Sequence, residues 1–247
     1  MKRILIVSDL QIPYHDKRAV ANLIDFVKRY KPDQVVTIGD EIDMPTISRW
    51  TAGTAGAYAG TLAKDRDETV RILEALKVTD VIRSNHTDRL FNTIALRAPG
   101  LLGVPELELP NFLRFKELGI KYHRKPFELA PGWVALHGDE GSTNATPGLT
   151  ALGLSRKHGK SVVCGHTHRL GITHATEASG GVLGRILTGF EVGNLMNFSS
   201  AHYLKAGSGN WQQGFGILYV DNKLVTPSMI PVHKNGSFVV EGKVYGN

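Results

Sequence analysis

Five times along this chain an apolar, strand-like run stops, and the residues that follow carry carboxylate, amide or imidazole groups. Ile4-Leu5-Ile6-Val7 runs into Ser8-Asp9-Leu10-Gln11, and Gln34 to Ile38 runs into Gly39-Asp40. Val78 to Arg83 ends at Ser84-Asn85-His86, Trp133 to Leu136 at His137-Gly138, and Ser161 to Cys164 at Gly165-His166-Thr167-His168. Short continuous apolar runs of this kind suit strands buried on both faces. One aspartate after a strand is ordinarily a turn residue. The recurrence says more, because in an open α/β sheet the functional crevice lies at the carboxyl ends of the strands. Five strands ending this way would deliver their ligands to one place.

The intervening text supports an α/β fold. Ala19 to Tyr30 puts Val20, Leu23, Ile24 and Val27 at helical spacing, with Lys28 and Arg29 at the negative end of the helix dipole. Pro32-Asp33 ends it, so the first 40 residues read as a parallel strand–helix–strand crossover. Met44 to Gly60, rich in Gly, Ala and Thr, reads as a surface insertion, and Leu62 to Lys77 as a second helix. From Arg89 to Lys116 a helix, a stretch broken by Pro99, Pro105 and Pro110, and a further short helix suggest a helical cap insertion around residues 89–117. Leu149 to His158 is a short helix. From Arg185 onward strands and turns dominate: Gly214 to Val220, Lys223 to Val225 and Ser237 to Val240, with hairpin turns expected at Asp221-Asn222-Lys223 and Asn235-Gly236. No internal repeat and no long linker divides the chain, so residues 1–247 are expected to form a single domain.

Composition excludes several classes. With 247 residues the chain buries a sizeable core without staples. Cys164 is its single cysteine, which removes a disulfide framework and an all-thiolate zinc site. No apolar run reaches the roughly 18 residues a membrane helix needs. The four apolar residues after Lys2-Arg3 are too few for a signal-peptide core, so a cytoplasmic chain is expected. The net charge of +6 favours anionic partners. The basic residues are scattered rather than striped, which argues against a long nucleic-acid groove. Ten histidines are the unusual feature, since imidazole is both a metal ligand and a proton carrier near neutral pH.

In this order and at these positions the polar clusters resemble those of the calcineurin-like metallophosphoesterase family. That family carries Asp-x-His, Gly-Asp, Gly-Asn-His-(Asp/Glu), a lone His and Gly-His-x-His. Here they stand as Asp9-Leu10-Gln11, Gly39-Asp40, Ser84-Asn85-His86-Thr87-Asp88, His137 and Gly165-His166-Thr167-His168. The stretch Gly209-Asn210-Trp211-Gln212-Gln213-Gly214-Phe215 also looks like bacteriophage members, so the cytoplasm would be that of a host cell if the chain is phage-encoded.

The resemblance implies a four-layer αββα sandwich with two divalent ions between the sheet ends. One ion would be held by Asp9, Gln11, Asp40 and His168, the other by Asp40, Asn85, His137 and His166, with Asp40 bridging. Oxygen and nitrogen donors without thiolate suit Mn²⁺, Fe or Zn²⁺ and do not select among them; Mn²⁺ is the first expectation, with Fe, Zn²⁺, Ni²⁺ and Co²⁺ as alternatives. Such a pair activates a water and clamps a phosphoryl group, and His86 would stabilise the transition state or protonate the leaving oxygen. The implied activity is hydrolysis of phosphodiester or phosphomonoester bonds in a nucleotide, nucleic acid or other phosphate ester. The rivals are a nuclease of the same fold, or a degenerate nucleic-acid-binding or scaffold member.

Two departures bear on the site. Gln11 stands where the family has histidine, and an amide oxygen is a weaker donor, so His15 is a candidate to compensate. Thr87 stands where the family has the acid that orients the catalytic histidine, and Asp88 is a candidate replacement. Asp43 is a candidate to orient a histidine from behind. Arg49, Lys64 and Arg169 are candidate phosphate contacts, and Trp50 and Trp211 candidate stacking surfaces. Oligomeric state is left open by the sequence.

Overall fold

The computed structural model describes residues 1–200 and 209–246. β1 (Lys2–Val7) shows how the layers arise. Its side chains alternate across the strand: Leu5 and Val7 face the helices, while Ile4 and Ile6 face a second sheet. A strand covered on both sides can be apolar at every position, which explains the uninterrupted run.

After β1 come α1 (Lys17–Tyr30), β2 (Gln34–Thr37), α2 (Leu62–Ala75), β3 (Asp80–Ile82) and α3 (Arg89–Arg97). Two single-turn helices, α4 (Leu109–Phe112) and α5 (Phe115–Leu118), lead to β4 (Lys121–His123). The second half contains β5 (Phe127–Ala130), β6 (Trp133–Ala135), α6 (Leu149–His158), β7 (Ser161–Cys164), β8 (Leu170–Ser179) and β9 (Val182–Val192). It closes with β10 (Gly214–Asp221), β11 (Leu224–Pro231), β12 (Phe238–Val240) and β13 (Lys243–Tyr245).

One sheet has the order β11-β10-β1-β2-β3-β4, with β1 to β4 parallel and β10 antiparallel to β1. The other has the order β5-β6-β7-β9-β8, with β6, β7 and β9 parallel. Ile4, Ile6, Val36 and Ile38 of the first meet Trp133, Ala135, Val163 and Phe190 of the second in a buried layer. α1 and α2 cover the outer face of the first sheet, and α6 covers the second through Ala151 and Leu154 against Val162 and Cys164. The result is the expected four-layer αββα sandwich, and no described helix is long and apolar enough to cross a membrane.

Several boundaries differ from expectation for identifiable reasons. α1 starts at Lys17 because Asp16 caps it, accepting from the backbone N–H groups of Arg18 and Ala19. The insertion around 89–117 is not all cap. Leu109, Phe112, Leu113 and Phe115 join the core under α1 and α2, α3 adds Leu90 to it with Ile94 packed alongside, and the turns at Pro99–Leu101 and Pro105–Leu107 contribute no buried residue. Asn235-Gly236 is a turn between β11 and β12, which pair with different strands, whereas Asp221-Asn222-Lys223 does close the β10–β11 hairpin. β4, β5 and β8 had no clear apolar period to announce them. The outer half of β8 is exposed and held by its pairing with β9.

Candidate metal centre

The parallel strands of both sheets bring their carboxyl ends together. Asp9 and Gln11 follow β1, Asp40 follows β2, Asn85 and His86 follow β3, His137 follows β6, and His166 and His168 follow β7. Asp9, Gln11, Asp40, His166 and His168 all take left-handed backbone, with φ from 52° to 66°. Such residues are uncommon outside glycine and cost about 1–3 kcal/mol each, so they persist only where the surroundings over-determine them. The surroundings here are hydrogen bonds between loops. Asp9 N–H donates to Gly39 O at 3.1 Å, Gln11 N–H to Asp40 O at 2.8 Å, and Gly165 N–H to His137 O at 2.8 Å. Two glycines are required by close approach: a Cβ at Gly39 would lie 2.4 Å from His137 Nδ1, and one at Gly165 1.8 Å from Ser8 Oγ.

Asp40, His137 and His166 each offer a ligand atom, all within 4.8 Å of one another. Asn85 Oδ1 lies 2.9 Å from His137 Nε2 and Asp40 Oδ1 3.4 Å from the same nitrogen. His137 Nδ1 lies 2.8 Å from Ile38 O, an arrangement in which Nδ1 donates and Nε2 is turned to the centre. The second cluster is looser. His168 Nε2 is 3.1 Å from Asp9 Oδ1, an oxygen with no hydrogen bond, and the Gln11 amide donates to Asp40 Oδ2 at 3.0 Å. The backbone N–H of His166 donates to Asp9 Oδ2 and that of His86 to Asp40 Oδ1, at 3.0 and 3.3 Å.

Asp9 and Asp40 are 0% and 2% exposed. Burying such carboxylates costs several kcal/mol each unless a cation compensates. Burial pushes both upward, yet His168 beside Asp9, and His137 and His86 beside Asp40, outweigh it and hold both carboxyls below their ordinary range. The counterpart is His137: burial opposes its protonation, Asp40 overrides burial, and the imidazole is pushed up to about 10. Burial lowers His166, leaving it a neutral donor. Two buried carboxylates, neutral imidazole, an amide oxygen and an unsatisfied carboxylate oxygen form a donor set that fits divalent cations.

His86 stands beside this cluster, its Nε2 3.7 Å from Asp40 Oδ2 and its Nδ1 2.9 Å from Asp43 Oδ1. Burial lowers its affinity for a proton, but Asp40 and Asp43 prevail and raise it. Asp88 is engaged elsewhere: Arg83 Nε donates to it at 2.8 Å and reaches Asp139 at 2.7 Å through Nη1. Thr87 turns inward to Ser84, accepting from its backbone N–H at 2.7 Å. His15 is buried, with its Nε2 3.6 Å from Glu68 of α2. Arg49 stacks on Trp50 and Lys64 is exposed, whereas Arg169 follows His168 directly with a buried Nε lacking a hydrogen bond.

Sequence reasoning missed Glu191 and Asn194. Glu191, fully buried at the end of β9, accepts from the N–H groups of Thr150 and Ala151 at the start of α6 and from Thr167 Oγ1 at 2.7 Å. It therefore ties the loop between His166 and His168 to a helix N-terminus. Asn194 donates to His168 O at 3.0 Å. Asn194 follows β9 as Asp9 follows β1, so a polar residue after a strand was the available signal for it, whereas Glu191 lies inside β9. Trp211 packs its indole on the His168 ring, with centroids 4.4 Å apart.

The four-layer α/β sandwich thus brings carboxylate and imidazole groups from both sheets into a cluster that could hold a metal ion. No family model matches the sequence. The gene 54 proteins of Mycobacterium phages D29 and L5 are 37% and 38% identical to it, each over 99% of this chain and 98% of the relative. The chain belongs to the family of these mycobacteriophage gene 54 proteins. Solved structures with a related chain path include vacuolar protein sorting 29 of Cryptosporidium parvum, at 15% identity over 98% of this chain and 94% of that one, TM-score 0.49. Another is YfcE, a phosphoesterase from E. coli, at 16% identity over 96% and 97%, TM-score 0.41.

Proposed function

We propose that this protein is a metal-dependent phosphoesterase acting on phosphodiesters, with phosphomonoesters as the second class. The observation that carries the reading is the convergence of Asp40, His137 and His166 within ligand distance of one another, with Asp9 and His168 alongside and His86 at the rim. Asp9, Gln11, Asp40 and His168 would hold one divalent ion, and Asp40, Asn85, His137 and His166 a second, within one domain. When bound, such ions supply Lewis-acid charge at the phosphoryl group and lower the pKa of a nearby water.

The remaining work falls to this chain's own groups. The carbonyl of Ile38 fixes the tautomer of His137, and Gly39 leaves room for its ring. Asp43 lies 2.9 Å from Nδ1 of His86 and helps raise its affinity for a proton, so the imidazolium form would be the donor toward the departing ester oxygen. Arg169, which follows His168 directly, is a candidate contact for a phosphate oxygen. The test is turnover of bis-p-nitrophenyl phosphate by purified protein with Mn²⁺, Fe²⁺, Zn²⁺, Co²⁺ and Ni²⁺ in turn. Rates no higher than the metal blanks for all five would overturn the enzyme reading.

A further inference from the structure

Arg89 is the first residue of α3, three positions after His86, and its guanidinium folds back on that histidine. Nη1 donates to the backbone carbonyl of Asp43 and lies 3.3 Å from Asp43 Oδ1, while Nη2 lies 3.1 Å from His86 Nε2. The side chain is only 14% exposed, so a cation is held at the rim of the cluster. His86 Nε2 is in turn 3.7 Å from Asp40 Oδ2. Two short contacts thus separate the guanidinium from the carboxylate assigned to both ions, near enough for one phosphoryl group to reach both.

The direction of the bond to His86 follows from chemistry. A guanidinium stays protonated and has no lone pair to offer, so Nη2 donates and Nε2 accepts. An imidazole that accepts at Nε2 carries its proton on Nδ1, and Asp43 Oδ1 lies 2.9 Å from that atom. His86 Nε2 cannot face a leaving oxygen while Arg89 rests on it. A neutral ring nitrogen is a modest partner for a guanidinium. Bonds to an oxyanion are about twice as strong as neutral ones, and the planar fork can make two at once. Arg83, nearby, is occupied by two carboxylates, Asp88 and Asp139. Arg89 has one carboxylate, and among the described residues neither its Nε nor the second hydrogen of Nη2 has a partner. It also stands at the positive end of α3, whose first turn holds no acid.

We propose that Arg89 is a phosphate contact that controls access to His86: its guanidinium leaves Nε2 for an oxygen of a phosphoryl group at the metal centre, and so opens His86 only when that group is in place. This rests on the phosphoesterase reading for where the phosphate lies. The probe is inorganic phosphate, titrated calorimetrically into Mn²⁺-loaded protein. Arg89→Ala should weaken its binding about 10- to 100-fold, the loss of a charge-assisted contact. Arg89→Lys, which keeps the charge without the fork, should fall between. Metal content and the far-ultraviolet circular dichroism spectrum should match the wild type. Methylguanidinium added to Arg89→Ala should restore part of the lost affinity, which a purely structural arginine would not allow. In Zn²⁺-loaded protein, long-range nitrogen–proton spectra should show the His86 Nε2 resonance move when phosphate is added, and stand already displaced in Arg89→Ala without it.

Phosphate binding unchanged in both variants overturns the proposal and leaves the phosphoesterase reading intact, as does a His86 Nε2 resonance that neither phosphate nor Arg89→Ala shifts. Loss of metal from both variants also overturns it and confines Arg89 to holding Asp43. Phosphate bound through Arg89 by a protein that hydrolyses no diester upholds the contact and sinks the enzyme reading. A metal-loaded wild type that binds no phosphate overturns both.

Discussion

Asp43 Oδ1 lies 2.9 Å from His86 Nδ1, although the two residues follow different strands and are 43 positions apart in sequence by simple subtraction. The acid expected beside this histidine in sequence, Asp88, is instead paired with Arg83. Arg89 completes the grip, with Nη1 3.3 Å from Asp43 Oδ1 and Nη2 3.1 Å from His86 Nε2. The acid beside His86 therefore comes from the loop after β2 and not from position 87 or 88.

Asp43→Asn should lower kcat by about 10- to 100-fold, the usual cost of losing a group that orients a functional histidine, with metal content unchanged. Asp43 raises the proton affinity of His86, so its loss moves the alkaline limb of the kcat–pH profile to lower pH. Asp88→Asn should change kcat far less. A profile that stays in place in Asp43→Asn would remove Asp43 from this role.

The two proposed ion positions are unequally built. One has three donors within 4.8 Å of each other, while at the other the Gln11 amide already donates to Asp40. Metal titration followed by elemental analysis should find one tight and one weak equivalent per chain. Gln11→His replaces a weak donor by imidazole and should tighten the second equivalent. Two equally tight ions in the wild type would contradict this difference.

Removing metal should expose a pH dependence. In the metal-free protein His137 titrates at about 10, against about 6.5 when unfolded. A group raised in the folded state contributes its stability fully below the unfolded value and loses it as pH climbs through the folded one. The melting temperature of protein stripped with a chelator should therefore fall between pH 6.5 and about 10. Saturating Mn²⁺, which replaces the proton on this nitrogen, should flatten that slope and release protons on binding at pH 8.

Glu191→Gln keeps the size of a buried group that accepts three hydrogen bonds but removes its charge. Charge-assisted bonds contribute about 1.5–3 kcal/mol each way between intact and lost, so thermal unfolding should drop by several degrees. Because Thr167 sits between His166 and His168, metal affinity should drop as well. A variant that melts early yet binds metal normally would confine Glu191 to capping α6.

The strands and helices whose apolar period is complete were legible: β1, β2, β7 and α6 fall almost where the sequence put them. So was the convergence of the polar residues that follow those strands. What was not legible depends on neighbours far along the chain. Asp43 read as a candidate to orient a histidine, and that the histidine is His86 depends on how the β2 and β3 loops face each other. His15 looked available for an ion, but the β1 loop carries it to Glu68 of α2. Leu109, Phe112 and Phe115 were masked by prolines at 105 and 110, which suggested a lid where the chain in fact returns to the core.

The layer of Ile4, Ile6, Val36, Trp133, Val163 and Phe190 packs the two sheets face to face through apolar contact, and the hydrogen bond between His137 Nδ1 and Ile38 O joins them at its edge. At their carboxyl ends the donors come from both. An ion bound there acts as a clasp at one end of a dry seam. Loading it favours the closed state by mass action, and slow amide exchange of β1 and β7 should become slower still with metal, while the exposed β8–β9 tip, outside the seam, keeps its rate.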